Sequence, residues 1–406
     1  MSLLEPLRHR SFRALAAGRT LGTFGNSVAP VALAFAVLDR TGSAVDLGLV
    51  VGARSLANVL LLLFGGVLAD RLPRAVILQG TEIAAGLSQA LIAVSVLCGF
   101  SSLPVLVSLS VVNGAVSAMS LPAAAAITPQ TVPRELLAPS NALLRLLVNG
   151  GRIAGAGVAG VAVAAAGSGW ALAVNALLFF AAALAYHAVR LPRAERVSGA
   201  RPIAELVAGW HEFRSRTWVW VVVAQFAFVN AAGLGTLVVI GPVVADETFG
   251  RSGWGLALAT QTAGALAGGI VAAHWRPRRA LFAGVLLVTM EALPVLTLGW
   301  WPSLVPLLIA MLAAGLAMEQ FSVAWDVSLQ EHIPPDRLAR VYSYDMLGSL
   351  AAMPLGQIAA GPFVQHFGRE TVLVACGVLI LVSTGLALCS REIRQLTNRQ
   401  DVPTGS

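Results

Sequence analysis

The chain has 406 residues, 57% of them hydrophobic and only 12% charged. That is too little polar surface for a soluble protein of this length, and apolar runs of about 20 residues, each long enough to cross a hydrocarbon core of roughly 30 Å, recur from end to end. The net charge of +7 comes from 27 basic residues, all Arg, against 20 acidic ones; the Arg are scattered along the chain and form no patch, which argues against a nucleic-acid surface.

The N-terminus, MSLLEPLRHRSFR, is short and basic. The apolar run after it is too long for a signal-peptide core, so no cleavage is expected. Apolar runs read against turn signals predict spans at 12–38, 46–69, 75–98, 103–126, 139–165 and 169–189, then at 217–243, 252–274, 280–301, 304–330, 339–363 and 369–389. Frequent Gly and Ala within them suit helices whose backbones approach closely. Cys98, Cys376 and Cys389 lie far apart in apolar runs and show neither metal-ligand spacing nor a disulfide framework.

With both termini inside, the cytoplasmic segments carry 20 Arg and the outer loops carry three, Arg40, Arg251 and Arg369. This asymmetry predicts the orientation and supports an even number of spans. The one long connection, 191–216, is charged and falls at mid-chain. Its stretch from Ile203 to Phe213 places Leu206, Val207 and Trp210 on one face, as in a helix lying on the inner membrane surface. The expected organisation is an N-terminal six-helix bundle (1–190), this linker, a C-terminal six-helix bundle (217–390) and a cytoplasmic tail (391–406).

The halves echo each other. GGVLADRLPRA at 65–75 aligns with AGGIVAAHWRPRRA at 267–280, placing Pro73 on Pro277, Arg74 on Arg278 and Asp70 on His274. TVPRELLA at 131–138 aligns with HIPPDRLA at 332–339. The offsets, 204 and 201, are about half the chain. Two parallel six-span repeats are the plan of major facilitator transporters.

Here a resemblance enters. GGVLADRLPRA resembles the signature loop between spans two and three of the major facilitator superfamily, with Gly66, Asp70, Arg71 and Arg74 at its key positions. The stretches FRALAAGRTLGTFGNSVAPVALAFAVLDRTGSAVDLGLV and TPQTVPRELLAPSNALLRLLVNGGRIAGAGVAG resemble the bacterial enterobactin and macrolide exporters. The sequence departs from that pattern in three places. Span five keeps Gly151, Gly155 and Gly160 but has Ala156 where a Pro is usual, span four carries Asn113 rather than an Arg, and Gly25 is followed by Asn26 rather than an acid. The resemblance implies an all-α polytopic protein of twelve transmembrane helices in two pseudo-symmetric bundles. It also implies a latch, in which Asp70 caps the N-terminal end of span eleven near Arg340 to Tyr344 when the protein faces outward.

Ionisable residues inside spans are costly and are therefore candidate functional sites. They are Arg19, Arg54, Glu82, Arg145, Arg152, Glu291, Glu319, Asp326 and Asp345. The acids Glu319, Glu291, Glu82, Asp326 and Asp345 are the candidates for carrying a proton. Asn141, Arg145, Asn149 and Arg152 fall within an 80° arc of span five at 100° per residue, so that helix presents a polar face. An inner gate pairing Arg145 with Asp326 or Asp345 is one expectation. Asn26, Arg54, Asn113, Gln225, Phe228, Asn230, Gln261 and Gln320 complete the candidate cavity residues, though interhelical hydrogen bonding explains each polar one equally well.

The expected function is secondary export of a hydrophobic or amphipathic small molecule, such as a drug, antibiotic or siderophore, by proton antiport. No phosphate-binding G-x-x-x-x-G-K-[ST] loop is present, so an ion gradient or a partner chain must supply the energy. A proton-symporting importer on the same fold, and a non-transporting receptor or scaffold, are the alternatives. No convergent catalytic set indicates an enzyme. The expected partners are the substrate, protons and membrane lipid, with no cofactor or metal and a monomeric state.

Overall fold

A computed structural model describes residues 4–71, 73–189, 210–211, 213–275 and 277–397; the side chains of 63–71 lie outside the described set. Among the described residues the chain is helical, and twelve helical segments are long and apolar enough to cross a membrane. These are α1 (Arg10–Thr41), α2 (Ala44–Arg71), α3 (Arg74–Leu97), α4 (Leu103–Ala126), α5 (Leu137–Ala166) and α6 (Ser168–His187). They continue as α7 (Thr217–Glu247), α8 (Gly250–His274), α9 (Ala280–Trp300), α10 (Leu304–His332), α11 (spanning Arg340–Phe367) and α12 (Arg369–Cys389). The predicted spans coincide with these twelve, and α4 and α12 match to the residue. A short α13 (Arg391–Gln395) follows.

Five of the junctions between successive helices carry a glycine in the left-handed region. Gly42, Gly99, Gly167, Gly250 and Gly368 all have positive φ, between 61° and 87°. Only glycine adopts that conformation without a Cβ clash. Each lies at the junction of two successive helices. Gly167 and Gly368 occupy equivalent turns, before α6 and α12, at the repeat offset of 201.

Two compact units emerge, Met1–Ser198 with Ala245–Ala259, and Gly199–Val244 with Thr260–Ser406. In the first, α1 packs on α5 and α6, α3 on α4 and α6, and α2 on α4. In the second, α7 packs on α11 and α12, and α9 on α10 and α12. The counterpart of α2 on α4 is α8 on α10, where Gly264 and Gly268 face the backbone of Leu312 and Leu316. The sequence repeat is therefore a repeat of packing. Gly114 on α4 lies against the Arg54 carbonyl of α2, and Gly315, 201 residues later on α10, lies against the Gln261 carbonyl of α8.

Three of the twelve helices are irregular, α9 through a 3-10 turn at Val288–Glu291. The middle of α7 opens into a π-helix at Asn230–Gly235. The backbone of α11 breaks between Leu350 and Met353. Most of the predicted surface helix lies outside the described residues. Its described end stacks Trp210 on Phe213, centroids 5.6 Å apart, and both rings meet Tyr344.

Candidate functional site

In the first unit the third helix brings one acid inward. Glu82 on α3 is only 9% exposed, and its Oε2 has no hydrogen-bond partner. Gly22 on α1 makes the room, since a Cβ there would sit 2.6 Å from Glu82 Oε1. A small void beside the carboxylate is lined by Asn26, Thr81, Asn113, Ser117, Ser120 and Phe179, among others. Asn113 is buried and donates its Nδ2 to Ser88 Oγ at 3.2 Å. Asn26 donates Nδ2 to the Gly22 carbonyl at 3.0 Å. The structure thus gathers three sequence candidates, Glu82, Asn26 and Asn113, around one void.

The polar face of α5 lines a second cavity, of about 580 Å³, where Asn141, Arg145 and Asn149 meet Arg19 and Thr128. Arg19 donates Nη1 to the Ala124 carbonyl at 2.9 Å, and Arg145 is exposed. Arg152, the last member of the predicted stripe, is exposed and does not line this cavity. The glycines beside the stripe do allow close approach. A Cβ on Gly155 would lie 2.6 Å from the Phe24 carbonyl, and one on Gly151 3.0 Å from that of Thr20.

In the second unit Glu291 ends a 3-10 turn inside α9, and its Oε1 is buried without a partner. The two acids Asp326 on α10 and Asp345 on α11 each find partners locally. Asp345 accepts from Trp325 Nε1 at 2.8 Å and from Ser349 Oγ at 3.0 Å. Asp326 accepts from the Tyr342 hydroxyl at 2.8 Å. Glu319 is part-buried where α10 packs on α8, its Cβ 3.0 Å from where a Cβ on Gly268 would be.

Several polar candidates serve helix pairing. Gln225 is buried and donates to Thr384 Oγ1 of α12 at 3.0 Å. Gln320 donates to the Gly268 carbonyl at 2.6 Å. Asn230 opens the π-helix and donates to the Ser349 carbonyl at 2.8 Å, next to the break in α11. Gln261 and Arg54 are part-buried, and Phe228 is 53% exposed. Of the signature loop, Arg74 starts α3, while the side chains of Gly66, Asp70 and Arg71 lie outside the described residues. Among the described residues no group of three or more His, Cys, Asp or Glu side chains could hold a metal ion.

One cluster was not anticipated. Arg251, at the start of α8, donates Nε to Asp246 Oδ1 at 2.7 Å and Nη2 to Asp39 Oδ1 at 2.6 Å. Its guanidinium sits 4.8 Å from the Phe35 ring centroid, and Ser168 donates to Asp39 Oδ2 at 2.8 Å. Behind this clasp, Gly160 and Gly255 let α5 and α8 touch, with a Cβ on Gly160 only 2.9 Å from the Gly255 Cα. The sequence signal was present, since Arg251 is one of only three Arg on the predicted outer side, but its partners are remote in the chain.

The comparisons agree with the geometry. Residues 15–354 match the Major Facilitator Superfamily. The multidrug efflux pump Tap of Mycolicibacterium fortuitum is 26% identical, covering 96% of this chain and 97% of that protein. Macrolide efflux protein A of Streptococcus pyogenes is 23% identical, covering 95% and 97%. A bacterial homologue of the human lysosomal transporter Spinster, crystallised inward-facing and unoccupied, superposes with a TM-score of 0.73 at 17% identity, over 93% of this chain and 95% of that one. The nucleoside transporter NupG gives 0.75 at 12% identity, over 95% and 100%. This multi-pass membrane protein belongs to the Major Facilitator Superfamily.

Proposed function

We propose that this transporter exports a hydrophobic or amphipathic small molecule, driven by proton antiport through alternating access. The observation that carries the reading is a pair of buried acids. The third helix of each unit holds one carboxylate with a buried oxygen that has no partner, Glu82 on α3 and Glu291 on α9. A lone charge there is costly, so such a group is suited to taking up and releasing a proton as its surroundings change. The relatives named as efflux proteins support the outward direction. The mostly apolar spans suit a lipophilic cargo better than a polyhydroxylated one.

The test is transport in everted vesicles energised to an acidic interior. A macrolide or ethidium should accumulate inside, and a protonophore should abolish the accumulation. Glu82→Gln or Glu291→Gln should lower the driven flux at least tenfold while leaving substrate binding to purified protein intact. Accumulation indifferent to the protonophore, or full flux in both variants, would contradict the coupling. Uptake only in right-side-out vesicles would reverse the direction.

A further inference from the structure

We propose that the cavity shared by α1 and α5 binds the oxyanion group, a carboxylate or a phosphate, of an amphipathic cargo. The inference rests on the reading of this protein as a transporter of amphipathic molecules and names the charge that one class of them carries.

The charge of the lining carries the argument. The cavity is lined by Arg19 from α1, by Asn141, Arg145 and Asn149 from the polar face of α5, and by Thr128, with no acid among its lining residues. All of these belong to the first unit, so the cavity does not depend on how the two units are arranged. Arg19 lies nine residues into α1 and Arg145 eight residues into α5, which at the helical rise puts them about 14 Å and about 12 Å from the starts of their helices. Two cations held that deep around one space repel each other and are costly there unless an anion lies between them.

The donors are available. Arg19 spends Nη1 on the Ala124 carbonyl at 2.9 Å and keeps the rest of its fork. Among the described residues, none engages the Arg145, Asn141 or Asn149 side chain in a hydrogen bond or ion pair. The acids expected to pair with Arg145 are occupied elsewhere, Asp326 by Tyr342 and Asp345 by Trp325 and Ser349. Glu82 lies within electrostatic range of Tyr186, as Arg19 does, but lines a different void. A guanidinium presents its N–H groups as a planar fork that matches the paired oxygens of a carboxylate or phosphate. The two Asn amides can turn their N–H groups to the same ligand.

The rest of the lining says what carries the anion. Ala142, Leu144 and Val148 supply an apolar wall, and about 580 Å³ is the volume of a small-molecule pocket. A bare inorganic ion would leave that wall and most of that volume unused. An anionic group on an apolar body uses both.

Calorimetric titration of the purified full-length protein, in nonionic detergent near neutral pH, compares naphthylacetate with naphthylacetamide, which keeps the ring and loses the charge. The carboxylate should bind at least tenfold more tightly. Arg145→Gln should bring it down to the level of the amide, and Arg145→Lys should recover only part of the difference. Arg13→Gln, exposed on α1 outside the lining, should leave the affinity unchanged. Equal affinity of acid and amide for the wild type, or an acid affinity unaltered in Arg145→Gln, would overturn the site. Should Arg145→Gln not fold, the wild-type comparison decides alone. A lipid headgroup offers the same chemistry, so the titration is repeated with phosphatidylglycerol or phosphatidylcholine in the micelles. Neither should change the acid's affinity more than twofold; displacement by phosphatidylglycerol alone would assign the cavity to lipid and overturn the cargo assignment. Because binding is read at equilibrium, failed export of ethidium in vesicles leaves the site standing, and loss of the site leaves the export test untouched.

Discussion

Gly150 and Gly155 lie five residues apart on α5 in opposite surroundings. A Cβ at Gly150 would meet nothing within 4 Å, whereas one at Gly155 would lie 2.6 Å from the Phe24 carbonyl. Overpacking of this kind costs about 1–3 kcal/mol. Gly155→Val should therefore lower Tm by several degrees in a thermal unfolding assay, while Gly150→Ala should leave it unchanged or raise it, since Ala is favoured over Gly in a helix by about 1 kcal/mol. The crowding around Gly155 was legible from its place beside the polar stripe of α5. The contact between Gly22 and Glu82 was not, because the two are 60 residues apart and meet only when α1 and α3 pack. Gln225 and Gln320 show the other limit. Composition marks them as polar in apolar helices but does not say that Gln225 bonds to a neighbouring helix, or that Gln320 both bonds to one and lines a cavity.

At the scale of elements, the Arg251 clasp ties the start of α8 to the end of α1, with Asp246 and Asp39 sharing one guanidinium. A planar fork held by two carboxylates is geometrically specific, and Lys would not reproduce it. The account predicts that Arg251→Ala loosens the Gly160–Gly255 contact behind it. In a cysteine-free background, Ala156→Cys is buried and should react slowly with an impermeant maleimide. Labelling should speed up three- to tenfold once Arg251→Ala is added; an unchanged rate would show that the glycine contact holds without the clasp. The helices themselves were readable from hydropathy. The π-helix at Asn230–Gly235 was not, because NAAGLG carries no periodicity that separates a wide turn from a regular one. Its cause is tertiary. Asn230 donates to the Ser349 carbonyl, and a Cβ added at Gly235 would lie 3.2 Å from the Met353 carbonyl oxygen, where α11 breaks. Such insertions are frequent at functional sites.

For the whole molecule, the twofold repeat and the distribution of Arg make separate predictions. The repeat is seen in the packing, since helix pairs of the first unit recur in the second. The Arg bias concerns orientation, and two native cysteines test it. Cys98, after α3, and Cys389, at the end of α12, are both exposed. With the termini inside, Cys98 should label from outside intact cells, and Cys389 only after permeabilisation. The reverse pattern would invert the topology. The superfamily was legible from GGVLADRLPRA, a stretch short enough to quote and specific enough to match. The substrate was not, because cavity shape is made by side chains from distant helices and the apolar residues that line it look like any others in a span.

The central claim is that substrate and proton move in opposite directions through one protein. The most direct measurement uses proteoliposomes enclosing a pH-sensitive dye, to which a macrolide or ethidium gradient is applied with no initial pH difference. Substrate flowing down its gradient should drive protons the other way, shifting the internal pH in wild-type vesicles and not in those carrying Glu82→Gln together with Glu291→Gln. Substrate movement at the wild-type rate with no pH change in any vesicle would contradict the account.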